Sequence, residues 1–434
     1  MKYAFSLAAG LLSVLACVVP LCAEPSALDS VAEAYVKLVL KVGLYDPLYV
    51  DSYYGQEDWR PSDKRPAYVA YPLDRLAREA DSLITRMRGL ADSAPNKMRH
   101  DCLLSQLTAV RGTIDKLSGK KMSFDEESMA LFGTIAPHEA VNTDSLMNLL
   151  DSLLPGTGSV PERLDSLRAR LVIPSPLIDT VFRTAMSEVR RRSRELIDLP
   201  ADESITMEYV TNQSWGGYNR YQGNCNSLIS INLDIPFFVY NTVSFASHEG
   251  YPGHHVQGIV GEKRFVQDSG WVEFCVFALY SPLAIITEGM ANYSWEALFT
   301  PAEKLDFEQK VLCPLAGLDT SLAGLYSKAA KVLKAIGRAE ISIIRDYIDG
   351  KIDRDATITR LTRDVLVDPK AAENYVEFYE EFRSYNITYR VGEDLVRQFV
   401  EDSTTAGDFA ARRARYTKIL TSPCTPQSLA SGLD

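Results

Sequence analysis

Three of the five histidines in this 434-residue chain fall within eight positions, in the segment His248-Glu249-Gly250-Tyr251-Pro252-Gly253-His254-His255. A His-Glu pair followed closely by another His is the residue set of zinc peptidases. Two imidazoles hold the metal, and the carboxylate between them takes a proton from the activated water. The spacing departs from the common one, because the position four after His248 is Pro252. On a straight helix four residues rise about 6 Å and return to nearly the same face. Six residues rise about 9 Å and land roughly 120° away, and seven return to the face but rise about 10.5 Å. Neither pair brings two nitrogens to about 2.0–2.1 Å from one ion on a regular helix. Pro252 cannot donate to the carbonyl of His248, and Gly253 permits an unusual backbone. The segment therefore predicts an interrupted or bulged helix that brings His254, or alternatively His255, alongside His248.

Zinc needs a third protein ligand, and Thr287-Glu288-Gly289-Met290-Ala291-Asn292-Tyr293 offers one. Glu288 follows the apolar run Ala284-Ile285-Ile286, where an unpaired carboxylate is costly to bury and a metal charge compensates it. The expected centre is one Zn2+ per chain on His248, His254 and Glu288, with a fourth position for water. His255 is the alternative to His254, and Glu249 is the general base.

His-Glu-Gly-Tyr-Pro-Gly-His-His-Val-Gln at 248–257, followed by Glu-Gly-Met-Ala-Asn-Tyr at 288–293, resembles the bacterial DUF885 family. The family pattern is His-Glu-Ala-Tyr-Pro-Gly-His-His and then Glu-Gly-Trp-Ala-Leu-Tyr. Met290 and Asn292 therefore depart from it, as does Trp295 where a glutamate is usual. Ser384-Tyr385-Asn386-Ile387-Thr388-Tyr389-Arg390-Val391-Gly392 is similar to the family's C-terminal Tyr-Lys-Ile-Gly segment, with Tyr389 at the tyrosine. The resemblance covers roughly 205–400 and implies a mostly helical zinc peptidase of gluzincin type, here in compact form. Tyr389 is then the candidate to hold the oxyanion of a tetrahedral intermediate. Trp215, Tyr218, Asn219, Arg220 and Tyr221 cluster before the strand predicted at 227–233, the natural edge to pair with an extended peptide. Tyr218, Asn219, Arg220 and Asn232 are the expected substrate contacts. Arg338 and Arg383 are weaker candidates to bind a carboxylate, and His100 and His138 read as structural or surface residues.

The elements that must position these groups follow from periodicity. Apolar residues recur at helical spacing over 27–42, 73–90, 102–117, 123–131, 143–153, 161–172 and 176–197. Further helices are predicted over 241–260, 271–299, 301–312, 318–349, 353–364, 369–399 and 408–420. A Tyr-, Pro- and Asp-rich stretch at 45–71 predicts a long loop. Strands are predicted at 204–210 and 226–233, with a loop at 211–223. The fold class expected is mainly α, a large helical metallopeptidase-like domain with a small β-sheet next to the active-site helix. The basic run Arg190-Arg191-Arg192 with Arg194 reads as a solvated helix face.

Composition sets the outer limits. The chain is 46 % hydrophobic and 24 % charged, ordinary for a globular protein. Its net charge of −11 provides no general attraction to nucleic acid or anionic lipid, so neither is an expected partner. Lys2 followed by the uncharged run 3–21 and Leu21-Cys22-Ala23 reads as a signal peptide over 1–23. The expected location is periplasmic or extracellular, with no membrane span in the mature chain. Val14-Leu15-Ala16-Cys17 is a weak lipobox, making Cys17 a candidate lipid anchor. The expected organisation is a helical region at 24–200 and a metal-binding catalytic region at 201–434, integrated as one domain. No CxxC occurs, and Cys102, Cys225, Cys275, Cys313 and Cys424 read as mostly buried thiols. The leading expectation is an exported zinc hydrolase acting on peptides or peptide-like amides. The alternative is an inactive peptide-binding or metal-binding protein of the same fold. Metal storage is a third reading, opposed by the lack of any His-rich tract.

Overall fold

The computed structural model describes residues 26–433 apart from 95, 214 and 403–406. The expected signal peptide at 1–23 and the candidate anchor Cys17 lie outside the described residues. Helix α1 (Ala27–Val42) is fixed at its start by a reciprocal cap between Ser26 and Asp29 and buries Val31, Tyr35, Leu38 and Val39. Strand β1 (Val50–Tyr53) follows inside the stretch expected to be a loop. Helices α2 (Leu73–Gly89) and α3 (Lys97–Leu117) form the expected pair, the second starting earlier than predicted because the Asn96 side chain caps it. Helix α4 (Ile178–Ser193) ends in the basic run. That run is not simply solvated. Arg190 and Arg194 reach Glu203, and Arg191 and Arg192 pair with Glu188.

Strands β2 (Ser204–Val210), β3 (Gly217–Gly223) and β4 (Asn226–Asn232) make a three-stranded sheet in the order β2-β4-β3. β2 runs parallel to β4 and β3 antiparallel to it, with Met207 and Asn219 flanking Ile229. β3 corrects the loop expected at 211–223. Asn224 and Cys225 both have positive φ, 52° and 58°, and so form the two-residue turn of a hairpin between β3 and β4. The common sequence for such a turn is Asn-Gly or Asp-Gly, and Cys at the second position hid it.

Helix α5 (Val239–Glu249) and helix α6 (His254–Val260) divide the helical stretch expected over 241–260 at the interruption predicted around Pro252-Gly253. Strand β5 (Val276–Ala278) pairs antiparallel with β1. Helix α7 (Pro282–Leu298) then starts at Pro282 with the Ser281 side chain as its cap. The helix predicted over 271–299 is therefore shorter, because the β-branched and aromatic Val276-Phe277 pairs with β1. The helix predicted over 369–399 breaks at Arg383, whose φ is 50° and whose guanidinium Nε donates to Glu127 at 2.7 Å. Helix α8 (Ile387–Val400) resumes after that break, and α9 (Phe409–Leu420) follows it.

The fold is mainly α with small sheets. One hydrophobic cluster runs from Leu28 of α1 through Ile229 of β4 and Ile285 of α7 to Leu429 near the C-terminus, so both expected regions share a core. A buried bidentate pair also ties them, Arg99 of α3 donating to Glu273 at 2.6 and 2.9 Å. Among the described residues no helix is long and apolar enough to cross a membrane. All five described cysteines are free and buried.

Candidate metal centre

The site begins where α5 stops. The Gly250 and Tyr251 amides both reach back to Ala246 O, and the Gly253 amide to Ser247 O at 2.9 Å. The chain thus folds over the last turn of α5 before α6 begins. Gly253 is required for this path: a Cβ there would lie 1.9 Å from His248 O and 2.4 Å from Ser247 O. The fold-back brings the six-residue pair together. His248 Nε2 and His254 Nε2 are 3.2 Å apart, their rings perpendicular.

Glu288 arrives from α7. Its Oε2 lies 3.5 Å from His248 Nε2 and 3.7 Å from His254 Nε2. Three donors about 2.1 Å from one tetrahedral zinc stand about 3.4 Å from each other. The observed 3.2, 3.5 and 3.7 Å match that triangle. Glu288 Oε2 is buried without a hydrogen-bond partner, whereas Oε1 accepts from the Tyr385 hydroxyl at 2.9 Å. The donor set therefore fits a zinc ion on an observation independent of spacing.

The imidazole orientations are set from behind. His248 Nδ1 meets Asn292 Oδ1 at 3.1 Å, and Asn292 Nδ2 donates to Tyr389 O at 2.9 Å. His254 Nδ1 meets Gln257 Oε1 at 3.0 Å, and Gln257 Nε2 donates to Thr287 O at 2.9 Å. Each amide nitrogen is committed to a carbonyl, so each amide oxygen faces the ring and Nδ1 must be its donor. Both Nε2 atoms then point lone pairs at one another and at an anionic oxygen. Such an arrangement calls for a cation or a proton at its centre. Asn292, where the DUF885 pattern has Leu, is the residue that orients His248.

Electrostatics agree. Burial, then the charge of His254, pushes His248 down to about 4. Burial opposes charge on His254, but the Glu288 and Glu249 carboxylates outweigh it and hold this imidazole at about 9. Burial raises Glu288, yet His254 and then His248 bring it below the ordinary glutamate range. Glu249, with Oε1 3.9 Å from His248 Nε2, is pushed up to about 7, chiefly by burial. Tyr385 and Tyr389 lie edge to face at 5.7 Å, and burial, then Glu288, raises both hydroxyls.

These groups open onto a cavity of about 700 Å3 whose walls include Phe274, Phe277, Leu283, Ile286, Phe378 and Phe382. Tyr389, Tyr218, Asn219 and Arg220 line it. Asn219 Nδ2 donates to Glu249 O at 2.5 Å, and its Oδ1 has no partner. Asn232 does not line the cavity. It is fully buried and braces the preceding loop by donating to Gln213 O and Trp215 O, both at 3.0 Å. The edge expected at 227–233 is also corrected. β4 is paired on both sides, and β3 is the strand that lines the cavity.

His255 turns away from His248. Its Nδ1 meets Ser227 Oγ at 2.8 Å and its Nε2 meets Glu203 Oε2 at 3.2 Å. The Ser227–His255–Glu203 chain has the order of a nucleophilic triad, but Ser227 is 1 % exposed and no substrate reaches it. Arg338 and Arg383 are spent in ion pairs with Asp394 and Glu127. His100 is buried between Met87 O and Asp101, and His138 pairs with Asp125 at the surface. Sequence reading missed Asp51, Gln257 and Tyr385 as members of the site. Tyr385 carried a signal, lying four residues before Tyr389, whereas Asp51 carried none.

No family model matches the chain, and no curated protein matches it. Among solved structures it is similar to one described as a "putative lipoprotein" from Colwellia psychrerythraea. The two are 14 % identical with a TM-score of 0.47, over 86 % of this chain and 70 % of that one.

Proposed function

We propose that this chain is an exported zinc-dependent hydrolase, a peptidase of the DUF885 kind, acting on peptides or peptide-like amides. The observation that carries the reading is the triangle of His248 Nε2, His254 Nε2 and Glu288 Oε2, 3.2, 3.5 and 3.7 Å apart on one cavity wall, with Glu288 Oε2 buried without a hydrogen-bond partner. These three residues would hold the ion. Zinc there supplies a Lewis acid that polarises a carbonyl and makes water a nucleophile near neutral pH. Glu249, buried beside His248, takes the proton of the attacking water on its carboxylate and delivers it to the leaving nitrogen. The Tyr389 hydroxyl, on the same cavity, donates to the oxygen that becomes negative as the carbonyl carbon turns tetrahedral. The outer edge of β3 offers main-chain groups to an extended peptide, and Asn219 holds the carbonyl of Glu249 in place.

The test is metal content of the purified mature protein by elemental analysis, beside a His248→Ala, Glu288→Ala double variant. About one zinc per wild-type chain, absent from the double variant, is expected. Glu249→Gln should keep the zinc and lose at least about 100-fold in peptide hydrolysis. A wild-type chain that takes up no zinc when it is supplied overturns the reading. A chain that binds zinc but cleaves nothing in a peptide library is instead an inactive binding protein.

A further inference from the structure

Among the described residues, Asp51 is the one acidic residue on the cavity wall that the proposed chemistry leaves without a task. It comes from β1, far in sequence from the metal cluster, and lines the cavity with His248, Glu249, His254 and Glu288. Its Oδ1 accepts from the Tyr218 hydroxyl at 2.6 Å. Among the described residues it forms no ion pair, in a chain whose other half-buried carboxylates are commonly matched by Arg or Lys. Burial pushes its carboxyl above the ordinary aspartate range, against the pull of the Tyr218 hydroxyl and of the His254 and Arg220 charges, which do not offset it. A partly desolvated carboxylate facing a cavity is stabilised by a cationic ligand. Asn219, whose Oδ1 is buried without a hydrogen-bond partner, lines the same cavity. An ammonium has three donors and no acceptor, which suits a carboxylate. The remaining walls are largely aromatic and aliphatic and suit an apolar side chain.

We propose that Asp51 anchors the free α-ammonium of the substrate, so that the site takes short peptides with an unblocked amino end and an apolar first residue and removes residues from that end. The proposal rests on the peptidase reading and narrows it to an exopeptidase. The reaction is hydrolysis. The amide C–N bond breaks, the hydroxyl of water joins the carbonyl carbon, and the leaving nitrogen takes the proton. Asp51 touches the ammonium and stays unchanged throughout.

The probes are leucyl-phenylalaninamide, its N-acetyl form, and N-acetyl-lysyl-phenylalaninamide. Each is given to the zinc-loaded wild type and to Asp51→Asn, with binding read by calorimetry and cleavage by chromatography. Asparagine still accepts the Tyr218 hydrogen bond, so the variant removes charge and leaves the wall intact. The free peptide should bind and be cleaved by the wild type, and Asp51→Asn should weaken its binding about 10- to 100-fold. The N-acetyl form should bind weakly and equally to both proteins. Equal binding of the free and N-acetyl leucyl peptides to the wild type overturns the anchor, and cleavage of both would leave the peptidase reading standing. Binding of the acetyl-lysyl peptide as tight as that of the free leucyl peptide also overturns it, because Asp51 then reads a basic side chain. Binding that depends on the free amine and on Asp51, without cleavage of any probe, upholds the anchor and removes the peptidase.

Discussion

Each candidate ligand histidine is backed by a neutral amide rather than a carboxylate, and that choice has electrostatic consequences. An amide oxygen accepts the Nδ1 proton and fixes the ring without adding negative charge behind it. Glu288 is then the single anionic ligand, and a bound zinc keeps more of its positive charge for a substrate carbonyl. Asn292→Ala and Gln257→Ala should each weaken zinc binding about 10- to 100-fold, measured by competition with a chromophoric chelator. Asn292→Asp keeps an acceptor for His248 Nδ1 but sets a carboxylate oxygen against Tyr389 O, so it should recover only part of the affinity lost in Asn292→Ala. An unchanged affinity in both alanine variants would show that packing alone orients the rings. At this scale the residue types of the candidate site and Glu249 were legible, because His, Glu and a helix-breaking Pro-Gly coincide. The partners behind the rings were not. Asn292 reaches His248 from another helix, and no spacing within either segment encodes that meeting.

Two motif glycines bring the elements together. A Cβ on Gly289 of α7 would lie 2.2 Å from the carbonyl carbon of Gly392 in α8, and one on Gly392 would lie 2.3 Å from Ile285 O. The two helices therefore touch backbone to backbone, which sets Tyr385 and Tyr389 against Glu288 and Asn292. Gly289→Ala should cost about 3 kcal/mol or more, the upper end of overpacking, because a backbone cannot swing aside as a side chain does. Thermal unfolding followed by circular dichroism reads the loss, and a melting temperature within a degree of wild type would refute the close crossing. Gly253→Ala should act differently. It should remove zinc uptake, read by elemental analysis, by forcing the loop off the end of α5, with a smaller loss of helix. Helical periodicity made the long helices legible. It failed where tertiary pairing competes with propensity: β1 and β5 find each other across more than 200 residues, and β3 depends on a turn whose second residue is Cys.

At the scale of the whole molecule, one buried carboxylate joins four parts of the chain. Glu203 stands just before β2. It accepts from Tyr251 in the loop over α5 at 2.6 Å, from His255 in α6 at 3.2 Å and from Arg190 in α4 at 2.7 Å. The sheet, the histidine loop and an N-terminal helix are thus held at one point. Burial raises the Glu203 carboxyl, but His255, Tyr251 and Arg190 outweigh it and hold it down at about 2. A glutamate in the unfolded chain titrates near about 4.3. Between these values the unfolded chain takes up a proton that the folded one refuses, so stability falls as pH falls from about 4.3 toward about 2. Burial also lowers His255, so the folded state loses further ground from about 6.5 downward, where an unfolded histidine gains its charge. Denaturant unfolding of the chelator-treated protein, in which zinc release adds nothing to the pH dependence, should show stability falling through both ranges. Glu203→Gln should be less stable than wild type at pH 7, and the gap should close as pH falls below about 4.3. A gap that stays constant from pH 7 to pH 3 would mean that Glu203 contributes packing rather than charge, and that the histidine loop is held by the glycines alone.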